Sequence, residues 1–197
     1  MAVLEVLLYP APILKEVALP AQAGESERVI ADLLDTMGSF ERCVGIAAPQ
    51  IGHGVRIAVV DVSEHPKADT SNGLLTLVNP RILEAEGSTV AREGCLSLPD
   101  LTANVRRATR IVVGHQSGET ECHGFEARAV AHEIDHLDGI LFLDRVESLV
   151  DDVFRRKSYA SDSGSGSSTG SDAGGSSPAE RGLGGASSKP SPRGRTG

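Results

Sequence analysis

Two histidines four residues apart, His132 and His136, lie in the segment HEIDH with Glu133 directly after the first. The run 125–137 around them has helical apolar spacing, and residues four apart lie on the same face of a helix. The two imidazoles can therefore bind one metal ion. Glu133 is close enough to exchange a proton with a metal-bound water, whose pKa the metal lowers from about 16 toward neutrality. A surface helix with two histidines is the alternative interpretation.

A hydrolytic metal site needs three protein ligands and an open position. Where a metzincin has its third histidine this chain has Phe142, and no second zincin motif surrounds Glu147, eleven residues after His136. The segment EGCLSLP, residues 93–99, offers Cys95 instead, after a glycine and at a predicted strand edge. A thiolate is a strong ligand for zinc or iron(II), whereas a lone cysteine is commonly a small buried side chain. Spacing alone leaves both interpretations open.

A third segment, GIAAPQ at residues 45–50, is small and apolar and ends in one amide side chain, Gln50. By itself it is typical of a tight turn between core elements. Taken in order, however, GIAAPQ, EGCLSLP and HEIDH resemble the three motifs of the peptide deformylase family. The resemblance covers roughly residues 1–158 and includes LYPAPIL, VNP and GILFLDR, at residues 8–14, 78–80 and 139–145.

The resemblance implies a metal-dependent hydrolase that removes the N-formyl group from the N-terminal methionine of newly synthesised polypeptides. It implies one divalent metal per chain, iron(II) in the first place and zinc or nickel(II) as alternatives. The ligands would be Cys95, His132 and His136, with water as the fourth. Glu133 would act as general base and then as general acid, because the leaving amine needs the proton that this carboxylate took from water.

The resemblance also assigns residues to the substrate side of the site. Gln50 and the backbone N–H of Leu96 would stabilise the oxyanion that forms during attack on the formyl carbon. Gly45 and Ile46 would present their backbone to an extended peptide, as in strand addition. The pocket for the first side chain, methionine in this family, would be bordered by Val44, Phe125, Arg128 and Ala129.

Three positions differ from the usual family pattern. Cys43 replaces a glycine two positions before Gly45, Ala131 replaces a frequent glutamine before the first histidine, and Phe125 replaces a common leucine. None of these changes removes a metal ligand or an acid–base group. They bear on substrate preference and rate rather than on the reaction.

Composition divides the chain into residues 1–158, a catalytic domain, and residues 159–197, a tail. From Ser161 to Gly197, 21 of 37 residues are Gly or Ser and Leu183 is the only large apolar side chain. Such a segment cannot bury enough surface to offset its ordering entropy, so we predict that it is disordered. It is a solvated extension or a weak partner arm.

Charge, cysteine content and hydropathy indicate where the protein works. A net charge of −8 argues against nucleic-acid binding through the general surface, and we expect no direct sequence-specific nucleic-acid contact. Three cysteines give no disulfide framework and suit a reducing compartment. We expect a cytoplasmic protein with no signal peptide or membrane span. Its expected partners are nascent N-formylmethionyl chains and, by the family resemblance, the ribosome near its exit site.

The pattern of elements predicts an α+β fold, with antiparallel sheets packed around a central metal-binding helix. A first helix is expected from Ser26 to about Phe40, the metal helix over residues 125–137, and a last helix over residues 145–157. The basic run 155–157 would then complement the dipole of that last helix. Strands are expected at 55–62, 74–79, 81–86, 88–93, 101–106, 110–115 and 119–124.

Three function classes follow from these observations. The first is deformylation of N-formylmethionyl peptides, and the second is a related metal-dependent amidase with a different N-acyl preference. The third is a non-catalytic, metal-stabilised module. Glu133 counts against the third class, because a structural metal site has no use for a carboxylate beside an open coordination position.

Overall fold

The structure, a computed structural model of the 197-residue chain, describes residues 2–22, 24 and 26–156. The segment predicted to be a disordered tail lies outside the described residues. Within them the helices are α1 (Ser26–Gly38) and α2 (Gly124–Leu137), with short 3₁₀ helices at Pro12–Lys15, Ala48–Ile51 and Phe142–Arg145. The strands are β1 (Gly45–Ala47), β2 (Ile57–Val60), β3 (Leu75–Val78), β4 (Arg81–Glu86), β5 (Thr89–Cys95), β6 (Leu98–Arg107), β7 (Arg110–His115), β8 (Gly118–His123) and β9 (Val153–Arg155).

The strands of the described chain form three small sheets, in the orders β1-β2-β3, β4-β7-β8 and β5-β6-β9. Every neighbouring pair within them is antiparallel. Antiparallel neighbours can be joined by short turns, so helices are not needed between successive strands. The α+β class predicted from the irregular order of strands and helices is therefore confirmed.

Helix α2 lies at the centre of these sheets and contacts β1, β2, β7 and β8. Val130 and Ile134 of this helix are buried in one cluster with Val60 of β2 and Ile111 of β7. The helix therefore joins strands of two different sheets in a common core. The helix ends before Gly139, whose φ of 69° lies in the left-handed region. A Cβ there would lie 2.7 Å from the Lys15 carbonyl oxygen, so glycine is needed for this close approach.

Helix α1 begins at Ser26, as predicted, and ends at Gly38, two residues before the predicted Phe40. Val29 and Leu33 are buried, and three other apolar residues spaced along the same side of the helix are half-buried beside them: Ile30, Leu34 and Met37. This face covers β2 and β1, which carry Ile57 and Ile46 into the same cluster. The amphipathic spacing therefore identified the helix and its buried side.

The predicted last helix over residues 145–157 is wrong. The 3₁₀ helix that ends at Arg145 is followed by turns and then by β9, which pairs with β6. Leu149 and Val150 are 68% and 89% exposed, so the apolar residues that suggested a helix have no core to cover. The backbone of β9 instead forms its hydrogen bonds with β6. The tertiary contact with β6 therefore outweighs the helical spacing of the apolar residues.

The predicted dipole role for the basic run 155–157 is lost together with that helix. Arg155 lies in β9 and Arg156 donates its backbone N–H to Asp100, while Lys157 is outside the described residues. All three cysteines of the chain are free thiols, as expected. No helix among the described residues combines the length and the apolar character that crossing a membrane requires.

Candidate active site

Cys95, His132 and His136 meet where the end of β5 approaches α2. Their potential ligand atoms all lie within 4.8 Å of one another, and Sγ of Cys95 is 3.2 Å from Nε2 of His136. Cys95 is 5% and His136 1% exposed, so burial excludes most solvent. The structure thus brings together the three side chains that the motifs singled out, from segments almost forty residues apart.

The donor set fits a divalent transition metal. One sulfur and two imidazole nitrogens suit iron(II) or zinc and leave a fourth position open. Oε2 of the neighbouring Glu133 is buried without a hydrogen-bond partner among the described residues. A buried carboxylate oxygen seldom stays unpaired, and a water molecule on a metal held by the three ligands would supply its missing donor. The residues present therefore fit a resident metal.

The electrostatics of the three side chains favour a thiolate. Burial by itself raises the pKa of the Cys95 thiol, but the His136 and His132 imidazoles together outweigh it and hold that pKa well below its ordinary value. Burial likewise opposes a charge on His132, yet hydrogen bonds with Cys95 and Glu93 raise its pKa well above the usual value. The thiolate is the form of cysteine that binds metals, and a metal would take the place of the protons held here.

Glu133 lies beside the triad but does not belong to it. The side chain is 5% exposed, and burial raises its pKa to about 7, against the opposing influence of the two histidines. Its carboxylate packs directly on Gly45 of β1, where a Cβ would lie 2.8 Å from Oε1. A carboxyl group with a pKa near neutrality, fixed beside an open metal position, is suited to taking and returning a proton.

Gln50 points its amide at the same centre. Its Oε1 accepts the backbone N–H of Ala47 at 2.9 Å, which fixes the plane of the amide. Its Nε2 donates to Sγ of Cys95 at 3.4 Å and to Oγ of Ser97 at 3.2 Å. Leu96 follows Cys95 directly, and its half-buried side chain packs against the apolar cluster that contains Val29 and Leu33 of α1. The structure therefore places both predicted oxyanion donors next to the cysteine.

A buried charge network behind the candidate metal ligands was not predicted from the sequence. Glu93 accepts from Nδ1 of His132 at 3.1 Å and from Arg107 through two hydrogen bonds of 3.1 Å. Arg107 also binds Asp135, and Asp135 accepts from Arg145 at 2.6 and 3.1 Å. Because a carboxylate only accepts, Nδ1 of His132 carries the proton and Nε2 is left for a metal.

A sequence signal for this network did exist. Glu93 lies two positions before Cys95, and alternate residues of a strand point to the same side of the sheet. Burial alone would raise the pKa of Glu93, but the hydrogen bond from His132 and the two from Arg107, together with the charges of these residues, lower it to about 2. Glu93 is therefore ionised and holds the first histidine in one orientation.

Comparison with known proteins identifies the family. The family model described as Polypeptide deformylase matches residues 3–152 of the chain. The chain belongs to the peptide deformylase family. A peptide deformylase of Heliobacterium modesticaldum is 48% identical over 155 residues, which are 75% of this chain and 97% of that protein. One from Thermodesulfovibrio yellowstonii is 38% identical over 164 residues, 80% of this chain and 97% of that protein.

Solved structures agree with the sequence relatives. The Met-Ala-Ser-bound class I type b peptide deformylase of Acinetobacter baumannii has a TM-score of 0.67 and 36% identity, covering 74% of this chain and 99% of that one. The peptide deformylase of Thermotoga maritima also has a TM-score of 0.67, with 34% identity over 75% of this chain and all of that one.

These findings confirm the family, the enzyme class and the function that the three motifs predicted. Peptide deformylases are metal-dependent hydrolases that remove the formyl group from N-formylmethionyl peptides. The chain is therefore an enzyme of this kind, and the third function class, a non-catalytic module, is set aside. The described residues carry one Cys/His/His group that could hold the metal.

The residues predicted for substrate binding lie on two elements of this deformylase fold. Gly45 and Ile46 belong to β1, which is an edge strand of its sheet and pairs there with β2 alone. Val44 precedes β1, and with Phe125 and Ala129 of α2 it is half-buried against the core cluster. Arg128 is buried and donates from Nη2 to the carbonyl of Arg92 at 3.2 Å, beside Glu93.

One of the three departures from the family pattern, Cys43, contacts Gly45, the residue on which the Glu133 carboxylate packs. Its thiol donates to the carbonyl of Gly45 at 3.2 Å. Burial, with a smaller contribution from Glu133, raises the pKa of Cys43 to about 12. The thiol is therefore protonated at neutral pH and uses one of the two lone pairs of the Gly45 carbonyl, which leaves the other for a further donor.

Proposed function

We propose that Cys95, His132 and His136 bind the catalytic metal of this deformylase and that this metal is iron(II) in the cell, with zinc or nickel(II) as substitutes. The observation that carries the proposal is the convergence of the three ligand atoms within 4.8 Å in a buried position. Sulfur with two imidazoles suits metals of intermediate softness rather than calcium or magnesium, which prefer oxygen ligands.

When held by Cys95, His132 and His136, the cation would acidify a water molecule and act as a Lewis acid toward the formyl group. Glu133 would take a proton from the attacking water molecule as the water oxygen bonds to the formyl carbon. It then returns the proton to the amine of methionine as the C–N bond breaks, releasing formate and a free N-terminus. Burial raises the pKa of Glu133 above its ordinary value, which favours the uptake of the proton before its return to the amine.

The oxygen of the formyl group gains negative charge during the attack and needs hydrogen-bond donors. We assign this role to Nε2 of Gln50 and to the backbone N–H of Leu96. Gln50 supports the assignment because its carbonyl oxygen is held by Ala47 and its NH₂ group faces Cys95. An amide held in this way needs no reorganisation when the charge develops.

The substrate peptide would add to the open edge of β1 as an extended strand. Gly45 and Ile46 provide its backbone partners. The first side chain would enter a pocket bordered by Val44, Phe125, Arg128 and Ala129. Three of these, Val44, Phe125 and Ala129, are half-buried against the core cluster that contains Val60 and Val130. In a nascent chain that side chain is methionine.

We further propose that residues 1–158 are the catalytic domain and that residues 159–197 are dispensable for chemistry. The setting would be the cytoplasm, with the ribosome exit site as the place where the enzyme meets nascent chains. Three free cysteines are compatible with a reducing compartment. Salt-sensitive cosedimentation of the full chain with ribosomes tests the partner, since a charge-mediated contact weakens as ionic strength rises.

The decisive experiment is an assay on the anaerobically purified full chain with matched peptides. Formyl-Met-Ala-Ser should be hydrolysed, whereas acetyl-Met-Ala-Ser should react at least about a hundredfold more slowly, because the acetyl methyl group needs space at the reacting carbon. Metal analysis should give one iron per chain. Equal rates on both peptides would favour the related amidase, and full activity in metal-free protein would contradict the assigned ligands.

A further inference from the structure

Helix α2 is buried along most of its length, but one stripe is not. Among residues 125–137, only Phe125, Ala129 and His132 are half-buried, and the rest are buried. These three are spaced by four and three residues, so they lie on one helix face. The stripe runs from the metal ligand His132 toward the N-terminal end of the helix, a distance of about 10 Å at 1.5 Å per residue.

An imidazole from another element closes the far end of this stripe. The ring of His65 stacks on the ring of Phe125, with centroids 4.1 Å apart and planes 9° from parallel. His65 belongs to the segment 61–74 that joins β2 to β3. Arg128 lies beside the same Phe125 ring, with its guanidinium carbon 5.9 Å from the centroid. Phe125 is therefore supported from two sides.

The position of His65 is fixed by its own loop. Its backbone N–H donates to Val62, its carbonyl accepts from Ala68, both at 2.9 Å, and its Nδ1 accepts from the N–H of Lys67 at 3.2 Å. Because Nδ1 accepts a hydrogen bond, the ring is neutral with its proton on Nε2. Burial and the charge of Lys67 lower the pKa of His65, which keeps it neutral at physiological pH.

The same loop is tied to α2 one residue beyond Phe125. The backbone N–H and the side-chain amide of Asn72 both donate to the buried carboxylate of Glu126, each at 2.7 Å. The Asn72 amide also donates to the carbonyl of Glu121 at 2.9 Å. Two attachments, one polar and one aromatic, thus hold the loop against the start of the helix.

We propose that the His65–Phe125 stack is the end wall of the pocket for the substrate's first side chain and selects an unbranched side chain of the length of methionine. The inference rests on the proposed function, because the formyl group must lie at His132 for the side chain to reach Phe125. A neutral imidazole over a phenyl ring offers a flat, apolar surface, and thioethers make favourable contacts with aromatic rings. His65 acts here as a specificity-determining residue and does not touch the reacting atoms.

The test compares formyl-Met-Ala-Ser with the corresponding ethionine peptide, which is one methylene longer. Misfit by one methylene in a closed pocket typically costs 10–200-fold, so the native chain should favour methionine by at least about tenfold. In His65→Ala the ratio should fall to about one, through a higher KM for methionine and an unchanged kcat. His65→Phe, which keeps a stacked ring, should restore the preference.

His123→Ala is the matched control, since this imidazole is exposed on β8 and provides no side-chain cap for α2. It should keep the methionine preference. Phe125→Ala removes the other ring and should reduce the preference as His65→Ala does, which covers failure of His65→Ala to fold. A folded His65→Ala protein with an unchanged ratio, or with equal losses of kcat on both peptides, would overturn the inference. No hydrolysis of either peptide by the native chain would instead contradict the proposed function.

Discussion

The carboxylate of Glu93 lies 3.1 Å from Nδ1 of His132 and is held there by two hydrogen bonds from Arg107. The residue two positions before Cys95 thus orients His132, the first of the two histidines proposed as metal ligands. Such partners typically change metal affinity by 10–100-fold when they are removed. The network explains why a buried arginine lies behind a metal site.

Glu93→Gln should weaken metal binding by about 10–100-fold and lower the free energy of unfolding by about 2–3 kcal/mol, because the buried Arg107 loses a charged partner. Metal retention under competition with a chelator and urea unfolding measure the two effects. Glu147→Gln is the control, since Glu147 pairs with Arg106 at the surface. Equal metal retention in both variants would show that Glu93 does not orient the ligand.

Gly45→Ala should slow catalysis without releasing the metal. The new Cβ would lie 2.8 Å from Oε1 and 3.0 Å from Cγ of Glu133, so the carboxylate must move. Small displacements of a catalytic group can cost about a hundredfold in kcat. Gly54→Ala is the matched control, as its Cβ would meet nothing within 4 Å. Unchanged kcat in Gly45→Ala would mean that Glu133 is not held in place by β1.

The central helix and the first helix could be predicted from sequence because apolar periodicity and the HEIDH spacing are local signals. The bounds predicted for β4 and β7, 81–86 and 110–115, match the structure. Cys95 could not be assigned as a ligand by spacing, since its approach to His136 depends on how β5 packs against α2. The family resemblance supplied what spacing could not.

Other features depended on contacts that no local pattern encodes. The final segment was predicted as a helix, yet Phe154 and its neighbours pair with β6, and the Phe154 ring lies 3.5 Å from the guanidinium of Arg92. The partner of Nδ1 in His132 and the stacking of His65 on Phe125 likewise join residues far apart in the chain. Tertiary packing decides such contacts, and sequence periodicity does not report them.

Asp144→Asn should destabilise the protein by about 0.5–1 kcal/mol at pH 7, after allowance for solvent screening. Asp144 accepts from Lys15 at 2.6 Å and from the N–H of Leu141 at 2.7 Å. Partial burial opposes its charge, but the hydrogen bonds from Lys15 and Leu141 and the charges of Lys15 and Arg145 together outweigh this and lower the pKa of Asp144. A depressed carboxyl pKa gives stability that is present above the unfolded value, about 3.9, and is lost as the pH falls through the folded value.

Urea unfolding of the native and Asp144→Asn proteins from pH 7 to pH 2.5 checks this prediction. The two curves should begin to converge below about pH 4 and should meet only below the lowered pKa of Asp144. Lys15→Met and the double variant complete a cycle that isolates the pair. A difference that persists unchanged at the acid end would assign the effect to packing rather than to charge.

Deleting residues 161–197 should leave kcat/KM on formyl-Met-Ala-Ser within about twofold of the full chain. Every residue proposed as a metal ligand, acid–base group or substrate contact lies before residue 137, and the family model ends at residue 152. Cosedimentation with ribosomes should be compared for the same two proteins, because the segment's basic residues offer a salt-sensitive contact. A large fall in kcat/KM for a folded, metal-loaded truncation would place part of the site in the deleted segment.

The most direct test of the account is metal content measured together with turnover in Glu133→Ala. Glu133 is a proton carrier here and not a ligand, so the variant should keep one metal per chain while kcat falls by about 10²–10⁴-fold. Cys95→Ser is the contrasting control, which should lose the metal on dialysis because a serine hydroxyl is a poor ligand. If Glu133→Ala lost metal and activity together, or kept full activity, the separation of ligands from the acid–base group would be contradicted.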